Sequence, residues 1–170
     1  MRKPFQWISF ILLLAAGISN DAQAQYYTGI GVRGGPEYTG LSVKHFFDND
    51  NATAVEGILG VRNNGGYVLT ALYEHQTPFH NSQLQIPLSW IVGGGVHAGY
   101  FSASDNAMVG GKAKYYDDKS FAFGIDLVLG LEYQIPVAPF TVGIEFKPFY
   151  DISPRNDRWL DAAASLRYVF

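Results

Sequence analysis

The sequence predicts an all-β protein, an eight-stranded antiparallel up-and-down transmembrane β-barrel, and three observations carry that prediction. The composition is 48% hydrophobic, 16% charged and 15% aromatic with 19 glycines, poor in helix formers and rich in strand and turn formers. Beyond residue 25, apolar residues alternate with polar or small ones, a period of two rather than about 3.6. The charges inside these segments also share one phase, opposite to the bulky apolar residues, which turns the polar face inward and the apolar face outward.

The first element is a leader. Arg2 and Lys3 precede an almost wholly apolar run from Trp7 to Ile18, and Ala22-Gln23-Ala24 supplies small residues at the cleavage positions. A run of roughly a dozen apolar residues falls short of the ~20 that a spanning helix needs, so residues 1–24 read as a cleaved signal peptide and 25–170 as one barrel domain. Removing Arg2, Lys3 and Asp21 lowers the 12 basic and 15 acidic residues to ten and fourteen, a balance that gives no electrostatic footprint for nucleic acid. With no cysteine, the exported chain has neither a disulfide framework nor the thiol of a lipid anchor.

Eight alternating segments follow: Tyr27 to Gly34, Gly40 to Phe47, Thr53 to Arg62, Gly66 to Gln76, Leu84 to Phe101, Phe121 to Ile135, Phe140 to Ile152 and Leu160 to Phe170. Turn formers separate them, including Gly35-Pro36, Asp48-Asn49-Asp50-Asn51, Asn63-Asn64-Gly65, Thr77-Pro78, Pro136 to Pro139 and Ser153 to Asn156. The connection from Ser102 to Ser120 is much longer, polar and charged. With the chain starting in the periplasm it becomes the third outer loop, whereas 136–139 is a short periplasmic turn.

Strand charges set the inner face, because a charge facing hydrocarbon costs a few kcal/mol. In the sixth segment Asp126 and Glu132 share a phase with Gly124, Val128, Gly130 and Gln134, against Ile125, Leu127, Leu129, Leu131 and Tyr133. In the seventh, Gly143, Glu145, Lys147 and Asp151 oppose Val142, Ile144, Phe146, Pro148, Tyr150 and Ile152. Glu56, Gly60 and Arg62 in the third segment, and Asp161, Ser165 and Arg167 in the eighth, continue the pattern. Arg33, Lys44 and Glu74 complete a nearly balanced inner network, alongside neutral His97, Gln76 and Gln134. Because side chains just fill an eight-stranded interior, paired charges there are expected to plug it, and a general porin is not expected. Tyr73, Trp90, Tyr100, Tyr133, Tyr150, Tyr168 and Phe170 are expected to face outward, many near strand ends, as in a headgroup belt. A soluble lipocalin-like barrel would need the reverse polarity.

The closing Ala164-Ser165-Leu166-Arg167-Tyr168-Val169-Phe170 and the hairpin start Gly130-Leu131-Glu132-Tyr133-Gln134-Ile135-Pro136 resemble the small outer-membrane β-barrels of the OmpX/OmpA transmembrane-domain type, especially versions common in Bacteroidota. The resemblance covers the whole mature chain. It implies residence in the outer membrane of a Gram-negative cell, among outer-membrane lipid and lipopolysaccharide. It also implies a transient partner, the barrel-assembly machinery, reading Tyr168 and Phe170 as its signal. It implies no shared activity, since such barrels serve as adhesins, tethers and enzymes.

The remaining motifs read plainly. Gly29-Ile30-Gly31-Val32-Arg33-Gly34 matches a dinucleotide fingerprint, but Gly35-Pro36 follows where a helix is needed. Asp48 to Asn51 lacks the glycine and glutamate of a calcium loop, and Asn51-Ala52-Thr53 matches a glycosylation acceptor by chance. His45, His75, His80 and His97 have no metal or triad spacing and read as isolated polar fillers, so no metal or cofactor is expected. The function expected is a non-enzymatic structural or surface-interaction barrel presenting the 102–120 and 153–159 loops, the former to a surface ligand. The alternatives are a lipid A-modifying enzyme using His97 with Ser102 or Ser104, and a narrow solute channel.

Overall fold

The computed structural model describes residues 27–48, 52–62, 65–79, 86–101, 107–109, 112–114, 120–153 and 159–170. The leader predicted for residues 1–24, most of the long 102–120 connection, His80 and positions 154–158 lie outside the described residues. The strands are β1 (Thr28–Gly34), β2 (Tyr38–Phe46), β3 (Thr53–Arg62), β4 (Gly66–Pro78), β5 (Leu88–Phe101), β6 (Ala107–Val109), β7 (Lys112–Lys114), β8 (Ser120–Gln134), β9 (Phe140–Ser153) and β10 (Leu160–Val169).

Eight of them close an all-antiparallel barrel in the order β1-β10-β9-β8-β5-β4-β3-β2. Each neighbour in sequence is a neighbour in space, and closure comes from β1 against β10, where Gly29 pairs with Val169 and Gly34 with Ala164. The short strands β6 and β7 form a separate hairpin within the long connection. The first and last described residues meet at one rim, the rim of the termini: Tyr27 N and Thr28 N donate to Phe170 O at 3.2 and 3.1 Å.

Paired residues trace the stagger. A path from Thr141 of β9 through Arg167, Gly31, Ser42, Ile58, Thr70, His97 and Gly124 returns to β9 at Asp151, ten residues further along the strand. With about 3.3 Å per residue and about 4.8 Å between strands, that stagger tilts the strands by roughly 40°.

Local chemistry explains the reversals. In the turn after β3, Gly65 N donates to Arg62 O at 3.1 Å, and Gly65 and Gly66 have φ of 98° and 113°, which side chains with a Cβ rarely adopt. After β2, Asp48 accepts from the backbone N–H of Ala52 at 2.7 Å and so pins the start of its turn. Most boundaries agree with the sequence expectation to within one residue, and three differ by more. β4 runs to Pro78 rather than Gln76, so Thr77 and Pro78, expected in the reversal, still pair with Trp90 and Ser89 of β5. β2 begins at Tyr38 rather than Gly40, because Gly35 N donates to Tyr38 O and makes the first turn tight. The described part of β5 begins at Leu88 rather than Leu84.

Candidate functional site in the barrel interior

The parity of each strand puts every Asp, Glu, Lys and Arg side chain of the eight barrel strands inside, among the described residues. Arg33, Lys44, Glu56, Arg62, Glu74, Asp126, Glu132, Glu145, Lys147, Asp151 and Arg167, singled out from the sequence, are all buried there, as is Asp161. Glycines make the room. Gly29 pairs with Lys44, Gly31 with Arg167, Gly40 with Arg33, Gly93 with Glu74, Gly95 with Asp126, Gly130 with Glu145, and Gly143 with Glu132. Each of these seven charged side chains therefore lies beside a neighbour that has none, the small-against-large packing of narrow barrels.

Arg167 is the hub. Its guanidinium donates to Glu132 at 2.9 Å, Glu145 at 2.8 Å and Ser42 at 2.8 Å, and it also pairs with Glu56. These partners stand on β8, β9, β2 and β3, so one side chain from β10 ties four other strands across the interior. Lys44 extends the network to Glu74 at 2.9 Å and Gln76 at 3.0 Å. Arg33 bridges Glu145 and Asp161 at 3.1 and 2.9 Å. In a low-dielectric interior such groups are tolerable only when mutually satisfied.

A second cluster sits toward the rim opposite the termini. His97 has Nδ1 2.8 Å from Asp126 and Nε2 2.7 Å from Asp151, and Lys147 pairs with Asp126. Carboxylates accept, so both ring nitrogens act as donors in this arrangement. Gly124 permits it: a Cβ there would lie 2.6 Å from His97 Cε1. A register shift at Phe123/Gly124 sets Gly124 against Asp151. Above this cluster Arg62 donates to Glu37 at 3.1 Å. A cavity of about 30 Å³, room for a water or two, lies between Glu37, Tyr38, Arg62, His97, Lys147 and Asp151.

Three expectations are corrected. His97 is no isolated filler but a bridge between two carboxylates, and its inward position separates it from the outer edge that a lipid-modifying pairing with Ser102 or Ser104 would need; those serines lie outside the described residues. Gln134 shares the inner phase but is exposed at the end of β8. The interior is also not wholly polar: Tyr38, Ile58, Val68, Leu72 and Val128 form one buried apolar cluster and Phe46, Ala54 and Val169 another. Sequence reasoning missed Glu37, which lies in a turn where parity gives no signal. It missed Tyr38 by starting β2 late, although parity with Lys44 places Tyr38 and Phe46 inside.

The outer surface has the opposite chemistry. Val32, Leu41, Leu59, Leu69, Val96, Leu127 and Ile144 are exposed around its middle. Aromatic residues flank them: Phe47, Trp90, Tyr133, Phe140 and Phe170 toward the termini, and Tyr67, Tyr100, Phe121, Phe123 and Tyr150 toward the other rim. Of the aromatics expected outside, Tyr73 is exposed nearer mid-height, and Tyr168 is half-buried, its ring 5.5 Å from Phe140 and 6.0 Å from Phe170. From Tyr133 to Phe123 along β8 the barrel rises about 25 Å at a tilt of roughly 40°.

No family model matches the sequence, and no curated protein matches it. Among solved structures, the N-terminal β-barrel domain of OprF from Pseudomonas aeruginosa is similar, with a TM-score of 0.64 and 14% sequence identity, covering 87% of this chain and 100% of that one. The chain shares the fold of that barrel domain. At this identity the likeness concerns the fold alone, and it agrees with the eight-stranded antiparallel barrel expected from the sequence.

Proposed function

We propose that the chain is an integral outer-membrane barrel with a structural or surface-interaction role, and that its lumen is plugged by its own ion pairs. One observation carries the reading: among the described residues every charge of the eight barrel strands turns inward, while the outer surface is an apolar band bounded by aromatic residues. A band about 25 Å tall matches the hydrocarbon layer that transmembrane barrels cross, with aromatic rings at headgroup level. An uncovered apolar surface of this extent is not tolerated on a soluble monomer.

In this reading residues 1–24 direct export, the assembly machinery recognises the strand ending in Tyr168 and Phe170, and the termini stand in the periplasm. The 102–120 and 153–159 connections then face outward beside lipopolysaccharide and are the surfaces offered to a ligand. The Arg167 network and the apolar cluster around Ile58 and Leu72 support a closed interior over a channel. The inward-turned His97 supports a non-enzymatic role over lipid A modification.

Gel mobility of the outer-membrane fraction tests the reading. Closed barrels resist cold detergent, so the protein is expected in that fraction with a mobility that changes on boiling. A soluble periplasmic protein with one mobility would contradict it.

A further inference from the structure

Among the described residues the outer surface of the eight barrel strands carries no charge, yet one part of it is polar. At the rim that holds the termini, Thr28 of β1, His45 of β2, Thr53 of β3, and His75 and Thr77 of β4 place hydroxyls and imidazoles on four adjacent strands. Thr28 pairs with His45 across one strand boundary and Thr53 with His75 across another, while between the two pairs His45 faces Val55 and Phe47 N donates to Thr53 O. The other half of the rim, on β5, β8, β9 and β10, presents Trp90, Tyr133, Phe140 and Tyr168 instead.

The patch is oriented, and among the described residues Asp48 is the carboxylate that stands beside it. His45 Nδ1 lies 2.9 Å from Thr28 Oγ1, and the ring stands edge-on to Phe47 at 5.5 Å. Asp48 is engaged by Ala52 N at 2.7 Å and by Thr53. His45 and His75 are both exposed. They stand two strands apart, about 10 Å, far enough for each to meet a separate headgroup.

We infer that this patch binds the phosphate groups of phospholipids in the leaflet around the termini. The inference rests on the membrane reading above. Among the described residues, Thr28 Oγ1 meets His45 Nδ1 and Thr53 meets Asp48, whereas the second nitrogen of His45 and the ring of His75 would lack partners in hydrocarbon, at a cost. At the level of the aromatic girdle, headgroup phosphates supply acceptors. The described carboxylates of β1 to β4 all turn inward, away from the patch.

The test is lipid retention by the full mature chain, reconstituted with dimyristoylphosphatidylglycerol, returned to detergent and weighed by native mass spectrometry. The wild type is expected to keep bound phospholipid, and H45L/H75L to retain roughly tenfold less, the loss of a hydrogen bond to a charged group. Leucine is already common on this surface, so the variant is expected to keep its heat-dependent mobility. Equal retention by a variant that keeps that mobility overturns the inference, as does equal retention of phosphate-free dimyristoylglycerol. If the variant does not fold, the imidazole NMR signals of the wild type decide: they are expected to move with the phospholipid but not with dimyristoylglycerol, and unmoved signals overturn the inference. Loss of the heat-dependent mobility in the wild type would instead remove the membrane reading itself.

Discussion

Replacing Arg167 with methionine is expected to destabilise the folded barrel by about 3–5 kcal/mol, the cost of removing one partner from a buried ion-pair network. The variant keeps much of the side-chain volume but leaves Glu56, Glu132 and Glu145 facing one another around a missing cation. Lys44 still approaches Glu132 at 3.7 Å and Arg33 still holds Glu145, whereas Glu56 retains a hydrogen bond from Ser42 and no cation within ion-pair distance among the described residues. Urea unfolding from lipid vesicles, followed by the cold-detergent mobility shift, measures the loss. Adding Glu56→Gln to Arg167→Met is expected to recover part of it, since the worst-compensated charge is then removed. A loss below about 1 kcal/mol would mean that the network contributes little beyond filling space.

Replacing Leu127 with arginine is expected to cost about 2–4 kcal/mol in the same assay, and Tyr67→Arg only about 0–1 kcal/mol. Both side chains are 62% exposed, so burial within the protein does not distinguish them. Height does. Leu127 pairs with Gly94 and stands four residues from Phe123 and six from Tyr133 on β8, near the middle of the apolar band. Tyr67 is the second residue of β4, at the rim opposite the termini. In hydrocarbon the arginine at mid-height has no water or partner, while the one at the rim reaches headgroups. Equal, small effects at the two positions would indicate water on both.

The barrel was legible in the sequence because its inner and outer faces differ in chemistry at every second residue. Thr53–Arg62 reads as a strand with the same bounds in both, since Glu56, Gly60 and Arg62 alternate with Val55, Leu59 and Val61 without a break. The assignment of charges to the lumen follows from the same period. Which charge meets which does not. Arg167 and Glu56 are 111 residues apart, and their contact depends on the stagger and closure of the whole sheet. His97 illustrates the limit: Asp126 and Asp151 are 29 and 54 residues distant, and only the pairing of β5 with β8 and β8 with β9 brings them to its two nitrogens. The apolar residues inside, Ile58 and Leu72, escaped notice because a phase defined by charge says nothing about uncharged inner positions.

The most direct measurement of the central claim, that lipid surrounds the outer surface, uses the indole of Trp90. It is exposed on β5 beside Phe79, at the level of the aromatic residues near the termini. With the chain started at Gln25 and Trp159 changed to phenylalanine, Trp90 is the single tryptophan. In vesicles of brominated phospholipids its fluorescence is expected to be strongly quenched when bromine sits near the headgroup and weakly when it sits at the acyl chain ends. Fluorescence unaffected by bromine at any depth would place Trp90 in water and contradict the account.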